Sequence, residues 1–168
     1  MKLRPAEPED AMAVARVHVR SWQAAYRGLI PDDYLDRLRP EDRAPRYDFS
    51  HVDPLKPHTT VAVEGTEICG FVTVAASEDA NFKDHGELCA LYVDPDYWGL
   101  GFGRALVRAG RERLQTQGFR RAYLWVLAGN LRAARFYGHD RWTPDGARRL
   151  ETLWNITLEE ERYRRGLP

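Results

Sequence analysis

A glycine-rich segment in the second half of this chain has the residue types and spacing of an anion-binding turn. An apolar run over 88–93 is followed by Gly-Leu-Gly-Phe-Gly at 99–103, and a helical pattern starts at Arg104. The first N–H groups of a helix have no partners within it, and the helix dipole adds about half a positive charge there. Glycine reaches positive φ and lets a phosphate approach the backbone. The pattern therefore predicts a turn that binds a diphosphate, although many glycine-rich turns are only turns.

Two familiar nucleotide-binding motifs do not describe this segment. A dinucleotide-binding fold needs Gly-x-Gly-x-x-Gly after its first strand, whereas the spacing here is Gly-x-Gly-x-Gly, past the middle of the chain. A P-loop needs Lys and then Ser or Thr after its last glycine, whereas Gly103 is followed here by Arg104-Ala105. Both motifs are excluded.

Two segments together resemble the GNAT superfamily of N-acetyltransferases. Trp98–Gly103 resembles that family's acetyl-CoA motif, Gln/Arg-x-x-Gly-x-Gly/Ala, with Trp98 in place of Gln or Arg. Asn130–Tyr137 resembles its Asn-x-x-Ala-x-x-Phe-Tyr helix, although Arg141-Trp142 replaces the Gly-Phe pair that usually follows. The two motifs have the expected order and separation, and the resemblance covers nearly the whole chain.

The resemblance implies an α/β fold of mixed α+β type, in a single GNAT-like domain over 1–168. Its central, mostly antiparallel twisted sheet would be splayed at the middle strands, with helices on both faces. The resemblance also implies an enzyme that moves an acetyl group from acetyl-CoA directly to a primary amine of a small molecule or peptide. None of the five histidines lies at a spacing typical of a metal site or a catalytic triad. We therefore expect no metal and no acyl-enzyme.

Main-chain groups would hold the coenzyme, as the resemblance implies. The central strand would pair with the pantetheine arm and polarise the thioester carbonyl, and by position it contributes Leu91, Tyr92 and Val93. The diphosphate would lie on the turn, which is formed by Trp98, Gly99, Leu100, Gly101, Phe102, Gly103 and Arg104. Asn130 would cap its helix, and it would either contact the coenzyme as well or serve as a cap alone.

Two side chains are candidates for proton transfer. Glu87 starts the central strand, where histone-type members of the family carry a glutamate that deprotonates the amine; the alternative is an ordinary surface carboxylate. Tyr137 is the candidate general acid towards the coenzyme A thiolate, because a phenol has a reference pKa of about 10. The alternative for Tyr137 is a buried core tyrosine that hydrogen-bonds elsewhere.

The sequence gives a weaker indication of the residues that bind the acceptor. In the family the first two helices and their connection line it, and here they contain Trp22, Tyr26, Arg27 and Tyr34. Aromatic rings there would bound a pocket or stack on a cation, but helix core and a turn explain the same residues equally well.

Charge is distributed unevenly along the chain. Residues 1–103 have 11 basic and 18 acidic side chains, a net charge of −7, and residues 104–168 have 14 basic and 7 acidic side chains, a net charge of +7. The acidic part suits a cationic amine, and the basic part suits the three phosphates of coenzyme A. Since the chain has 22 Arg and only 3 Lys, arginine as the ordinary surface residue explains the basic part equally well.

Composition indicates the class of protein and its expected location, and two rival functions are considered beside the enzyme. A hydrophobic fraction of 43% and a charged fraction of 30% are ordinary for a soluble domain. No apolar run approaches the roughly 20 residues of a membrane span, and no signal-peptide core is present, so we expect a cytoplasmic protein. One rival function is a non-catalytic acyl-CoA sensor, and another is nucleic-acid binding by the basic part, which zero net charge disfavours. A homodimer is compatible with the family. The sequence does not identify the acceptor amine.

Hydrophobic spacing predicts the elements that would position these residues. Strands are predicted over 3–6, 59–63, 68–75, 88–93 and 121–127, and helices from 11, from 31, over 104–117 and over 130–138. In the tail, strand-like segments are predicted at 142–143 and at 153–157, the second of them extending towards Tyr163. Cys69 and Cys89 both lie in apolar runs, and we expect both in the core.

Overall fold

One seven-stranded sheet organises the structure, a computed structural model that describes residues 1–168. The strands are β1 (Lys2–Pro5), β2 (His58–Glu64), β3 (Glu67–Ala76), β4 (Gly86–Val93), β5 (Arg121–Leu127), β6 (Thr143–Leu153) and β7 (Ile156–Gly166). They are ordered β1-β2-β3-β4-β5-β7-β6. Every neighbouring pair is antiparallel except β4 with β5. The expected mixed fold with a mostly antiparallel sheet is confirmed.

Helices cover both faces of this sheet. They are α1 (Ala11–Ala25), α2 (Asp32–Asp36), α3 (Pro40–Arg43), α4 (Phe102–Thr116) and α5 (Leu131–His139). Successive residues of a strand point to opposite faces. Phe71 of β3 accordingly packs in the apolar cluster of α1, whereas Val72 packs in the larger cluster of α4. No helix is both long enough and apolar enough to span a bilayer.

A glycine in α4 brings this helix close to the sheet. A Cβ at Gly110 would lie 3.0 Å from a methyl group of Val72 and 3.2 Å from one of Val74, which is tight packing for any larger residue. Leu106, Val107 and Leu114 fill the remaining buried face of the helix. The N-terminus of α4 is therefore held in a fixed place beside the end of β4.

β4 and β5 separate after a short paired segment. Only Gly86 and Glu87 of β4 pair with β5, opposite Ala122 and Tyr123. All seven residues of β5 pair with β7 on its other side. Over Leu88–Val93, the β5-facing edge of β4 therefore has no strand partner, and the predicted splay at the middle of the sheet is confirmed.

A β-bulge in β4 changes which face its first residues point to. Ala90 and Leu88 pair with consecutive residues of β3, so Cys89 is the extra residue between them. A one-residue shift moves every preceding side chain to the other face of the sheet. The bulge thus directs Glu87 to the α1 side of the sheet. Cys69 is fully buried as predicted, but the prediction of a core position for Cys89 is wrong, because the bulge exposes it.

The tail forms a hairpin whose first strand is longer than the sequence predicts. The predicted extension of the second segment towards Tyr163 agrees with β7, but Trp154-Asn155, predicted as strand, is the two-residue turn between β6 and β7, with φ of 49° and 61°. Positive φ at both positions is typical of the turn that best fits strand twist. Most of β6 escapes prediction because charged cross-strand pairs, such as Arg148 with Glu159 at 2.8 Å, replace apolar alternation.

An aromatic cluster attaches this hairpin turn to α1. The buried imidazole of His18 stacks on Tyr92, with ring centroids 4.3 Å apart, and lies 4.6 Å from the Trp154 ring. Trp154 also packs on Trp22, at 4.5 Å between centroids. The hydroxyl of Tyr47 lies 2.6 Å from Nδ1 of His18. The hairpin, α1 and β4 are thereby joined around one histidine.

We expect His18 to make the fold sensitive to acid. Burial lowers the pKa of His18 well below its usual value of about 6.5, and the nearby Arg43 guanidinium lowers this pKa further. Its contribution to stability is therefore complete above about pH 6.5 and is lost as the pH falls towards the folded-state pKa, by up to about 1.4 kcal/mol per pH unit. Urea unfolding between about pH 7 and pH 5 should show this slope in the native protein.

The matched variants separate His18 from the other titrating groups. His18→Phe keeps an aromatic ring but cannot titrate, so its free energy of unfolding should fall less steeply over the same pH range. His139→Gln, at an exposed position, should keep the native slope. Equal slopes in the native protein and His18→Phe would contradict the assignment.

Candidate active site

The gap between β4 and β5 opens into a cavity of about 1060 Å³ that joins most of the predicted site residues. Of those residues, it is lined by Trp22, Tyr26, Glu87, Leu91, Tyr92, Val93, Trp98, Gly99, Leu100, Gly101, Gly103, Arg104, Asn130 and Tyr137. Arg27, Tyr34 and Phe102 are not among the lining residues. One continuous space therefore reaches from the glycine turn to the carboxylate of Glu87.

The glycine turn presents a row of free backbone donors. Gly99 and Gly101 have φ of +77° and +89°, and no atom lies within 4 Å of where a Cβ would stand on either residue. The six consecutive N–H groups from Gly99 to Arg104 have no acceptor within the protein. Phe102 contributes only its backbone, because its ring is buried in the core. These donors, open space and a helix N-terminus fit a diphosphate.

Trp98 braces the turn against the end of β4. Its indole Nε1 donates to the carbonyl of Val93 at 2.7 Å, and Ser21 Oγ of α1 donates to the same oxygen at 2.8 Å. The guanidinium of Arg132 lies 3.3 Å from the centroid of the Trp98 ring. The tryptophan that replaces Gln or Arg in the motif therefore fixes the turn and holds a cation at the cavity rim.

The free edge of β4 offers fewer backbone groups than the sequence suggests. The N–H of Asp94 donates to Cys69 of β3 at 2.8 Å, and antiparallel pairing alternates along a strand. Tyr92 therefore directs its backbone to β3, whereas Leu91 and Val93 direct theirs into the gap. Because the Val93 carbonyl is already bonded, the free groups are its N–H and both groups of Leu91. Tyr92 contributes its ring to the cavity wall instead.

Glu87 is a half-buried carboxylate at the end of the cavity that faces α1. The hydroxyl of Tyr123 donates to its Oε2 at 3.1 Å. Burial raises the pKa of Glu87, and the nearby carboxylates of Glu78 and Glu160 raise it further. The hydrogen bond from Tyr123 and the positive charge of Arg149 partly offset this increase in pKa. A carboxylate with a raised pKa is a stronger base, as amine deprotonation requires.

Tyr137 and Asn130 bring α5 to the opposite wall of the cavity. The Tyr137 side chain is only 8% exposed, and its hydroxyl makes no hydrogen bond within the protein. Burial raises the pKa of Tyr137 above its usual value, so the phenol stays protonated and available as a donor. Asn130 Oδ1 accepts from the N–H of Ala133 at 3.1 Å, which confirms the predicted helix cap.

Local packing accommodates Arg141-Trp142, the pair that replaces the family's Gly-Phe after Tyr137. Arg141 adopts φ of 65°, a left-handed conformation in which glycine is ordinarily found. Trp142 is 1% exposed, and its Nε1 donates to Asp140 at 3.0 Å. Arg111 of α4 makes two hydrogen bonds to the same carboxylate, at 3.0 and 3.1 Å. This network joins the middle of α4 to the C-terminal end of α5, and Asp140 itself lines the cavity.

Only part of the predicted acceptor site faces the cavity. Trp22 and Tyr26 line it and pack edge to face, with centroids 5.0 Å apart. Arg27 turns outward to Asp36, at 2.6 Å. Tyr34 donates its hydroxyl to a carbonyl at the β6–β7 turn. Arg27 and Tyr34 therefore support the helix connection and do not contact this space.

Sequence reasoning missed the wall formed by β5, β6 and β7. Arg149 lies 4.3 Å above the Trp125 ring and donates from Nε to Glu160 at 3.0 Å. Burial raises the pKa of Glu160. The thiol of Cys89 opens to the same space, and enclosure by the cavity walls raises its pKa as well. The structure contains no group of three or more His, Cys, Asp or Glu that could hold a metal ion.

Comparison with protein families identifies the architecture. The model of the acetyltransferase (GNAT) family matches residues 19–140. The chain belongs to this family. The matched GNAT segment contains both the turn Trp98–Gly103 and the helix Asn130–Tyr137. The expected class, an acyl-CoA-dependent N-acetyltransferase, is confirmed.

The alignments of this chain with curated GNAT relatives cover different shares of those relatives' lengths. The uncharacterized N-acetyltransferase YuaI of Bacillus subtilis (strain 168) is 31% identical over 128 residues, which are 76% of this chain and 72% of that protein. A mycothiol acetyltransferase of Actinosynnema mirum is 33% identical over 150 residues, which are 85% of this chain but 46% of that protein. The chain thus spans about half of the length of the mycothiol acetyltransferase.

A solved structure supports the fold independently of sequence identity. The PaiA N-acetyltransferase of Thermoplasma acidophilum, crystallised in complex with coenzyme A, superimposes with a TM-score of 0.70 at 18% identity. The alignment covers 95% of this chain and 96% of that chain. At this identity the likeness establishes the GNAT fold.

Gly101→Ala should impair coenzyme A binding by placing a methyl group in the turn. Gly118→Ala is a matched control, because Gly118 also has positive φ (+93°) and open space around it but does not line the cavity. Both variants should lose about 1–2 kcal/mol of stability from left-handed strain. Only Gly101→Ala should weaken coenzyme A binding in calorimetry, by about tenfold or more. Equal affinities in the two variants would show that the diphosphate binds elsewhere.

Proposed function

We propose that this GNAT protein transfers an acetyl group from acetyl-CoA directly to a primary amine of a small molecule or peptide. The observation that carries the proposal is the continuous cavity between the free amides at 99–104 and the carboxylate of Glu87. Donors for a diphosphate lie at one end and a base for an ammonium group lies at the other. Such a cavity brings two substrates together without a covalent intermediate on the protein.

The glycine turn and the edge of β4 would bind acetyl-CoA along its length. The turn amides suit the diphosphate, and the free backbone groups of Leu91 and Val93 suit the amides of the pantetheine arm. Bound acetyl-CoA supplies an activated acetyl group as a thioester. An N–H directed into the gap would stabilise negative charge on the carbonyl oxygen as it develops.

Glu87 would accept the proton that the acceptor ammonium must lose. The released amine lone pair then attacks the thioester carbon, a C–N bond forms, and the C–S bond breaks to leave coenzyme A thiolate. The Tyr137 hydroxyl protonates this thiolate and takes up the second proton from the new amide nitrogen, while Glu87 returns its proton to solvent. Enclosure raises the pKa of the Glu87 carboxyl, which makes it a stronger base towards the acceptor ammonium. The thiol of Cys89 has a raised pKa and stays protonated, which disfavours a thiolate nucleophile on the protein.

Tyr137 would act as the general acid, because its hydroxyl would hydrogen-bond to the leaving thiolate and protonate it. Its hydroxyl has no partner in the protein, so nothing competes for this donor. The alternative function, a sensor that binds acyl-CoA without turnover, requires neither an enclosed base nor a free hydroxyl. Their presence in one cavity favours the enzyme.

The charges at the acceptor end favour a cationic amine without a carboxylate of its own. Glu87 and Glu160 face this space, and Arg149 is already neutralised by Glu160 at 3.0 Å. The net charge of this group is negative, and aromatic rings such as Trp22 and Trp125 add surfaces that attract cations. An acceptor carboxylate would find no free positive group there.

Release of free thiol from acetyl-CoA in the presence of an amine panel tests the proposed function. We expect release with cationic primary amines, and weaker release with acceptors of matched size that carry a carboxylate. Glu87→Gln should lower kcat/KM by about 100-fold, as is usual for loss of a general base. Glu159→Gln, an exposed neighbour of Glu160 paired with Arg148, is the control. Tight coenzyme A binding with no thiol release from any amine would favour the sensor.

Tyr137→Phe should lower kcat and leave acetyl-CoA affinity nearly unchanged. The ring remains in place, and only the hydrogen bond to the leaving thiolate is lost, so a decrease in kcat of about tenfold or more is expected. Tyr163→Phe, at a buried tyrosine outside the cavity lining, should retain native kinetics. A Tyr137→Phe enzyme with native kcat would remove the hydroxyl from the mechanism.

A further inference from the structure

A chain of hydrogen bonds leads from the loop after β3 to the carboxylate of Glu87. The N–H of Asp79 donates to Ser77 Oγ at 3.1 Å, and Ser77 Oγ lies 2.8 Å from the hydroxyl of Tyr123. That hydroxyl donates to Glu87 Oε2 at 3.1 Å. An ionised carboxylate only accepts, so Tyr123 must donate to Glu87 and accept from Ser77. Every hydrogen in the chain therefore points towards Glu87.

The surroundings of Tyr123 give its hydroxyl a fixed direction. Tyr123 is 3% exposed and pairs with Glu87 in the short parallel segment where β4 and β5 still meet. Its ring packs against Phe82 and His85, with centroids 5.5 and 6.4 Å away. The phenol therefore lies where the sheet is continuous, immediately before the strands separate.

We propose that Tyr123, aligned by Ser77, is a positioning residue that holds the Glu87 carboxylate in its orientation towards the acceptor amine. This inference rests on the proposed role of Glu87 as the base. A glutamate has three rotatable side-chain bonds, and a fixed donor on one oxygen restricts them. The second oxygen then stays directed into the cavity, where the acceptor ammonium would bind.

The hydrogen bond from Tyr123 lowers the pKa of Glu87, whereas several other features of the site raise it. Burial raises the pKa of Glu87, as do the negative charges of Glu78 in the loop and Glu160 on β7. Tyr123 on β5 and Arg149 on β6 lower this pKa, and the neighbouring Cys89 thiol on β4 is neutral. Loss of the Tyr123 hydroxyl leaves Arg149 as the one opposing influence. The carboxyl should then stay protonated up to a higher pH, so Glu87 would act as a base over a narrower pH range.

The pH dependence of kcat/KM in Tyr123→Phe tests the proposal. A hydrogen bond to a charged group is worth about 1.5 kcal/mol or more, so the acidic limb should move up by about one pH unit. Along the acidic limb this shift lowers kcat/KM by about tenfold at a given pH, and activity should recover only in part above the limb, where the loss of orientation remains. Ser77→Ala should shift the limb in the same direction by less. Tyr163→Phe should leave the profile unchanged.

Glu87→Gln distinguishes failure of this inference from failure of the proposed base. If Glu87→Gln abolishes turnover but Tyr123→Phe keeps the native pH profile, the positioning role is overturned and the base remains. If Glu87→Gln keeps native activity, the base assignment is wrong and the positioning role is overturned with it. Circular dichroism checks folding of Tyr123→Phe. If that variant is unfolded, the profile of Ser77→Ala decides, and an unshifted acidic limb overturns the proposal.

Discussion

Backbone groups left without partners at the middle of the sheet are the constraint on which the site depends. β4 pairs with β5 at only two residues, and the amides at 99–104 have no acceptor in the protein. Unsatisfied backbone groups in a partly enclosed space are costly, so the fold gains from a ligand that bonds to them. A linear ligand that carries amides and then a diphosphate matches these groups in the order in which the chain presents them. In the proposed function, the geometry of the backbone would therefore select the coenzyme before any side chain does.

Side chains act by fixing this backbone and by placing proton donors and acceptors around it. Trp98 and Ser21 both bond to the carbonyl of Val93, which anchors the last residue of β4 beside the turn. The bulge at Cys89 places Glu87 on the α1 side, while Leu91 and Val93 still pack against the α4 core. One extra residue in β4 therefore decides on which face of the sheet the carboxylate enters the cavity.

The sequence was sufficient for the features that depend on local chemistry. The turn at 99–103, the cap at Asn130 and the strand and helix order follow from glycine spacing, an Asx residue and apolar periodicity, and the splayed sheet follows from the family resemblance. The wall formed by Trp125, Arg149 and Glu160 was not predictable, because it depends on long-range pairing of β5 with the charged β6–β7 hairpin. The exposure of Cys89 required the bulge, which has no marker in the sequence. Arg27 and Tyr34 were assigned by position along the chain, and side-chain direction decides against their contact with the cavity.

Calorimetric titration of the native protein with coenzyme A and with pantetheine, which lacks the diphosphate and the nucleotide, tests the central claim most directly. If the free amides from Gly99 to Arg104 hold the diphosphate, coenzyme A should bind at least about 100-fold more tightly than pantetheine, a difference of about 2.7 kcal/mol. Similar affinities for the two compounds, or no heat with coenzyme A, would contradict the account.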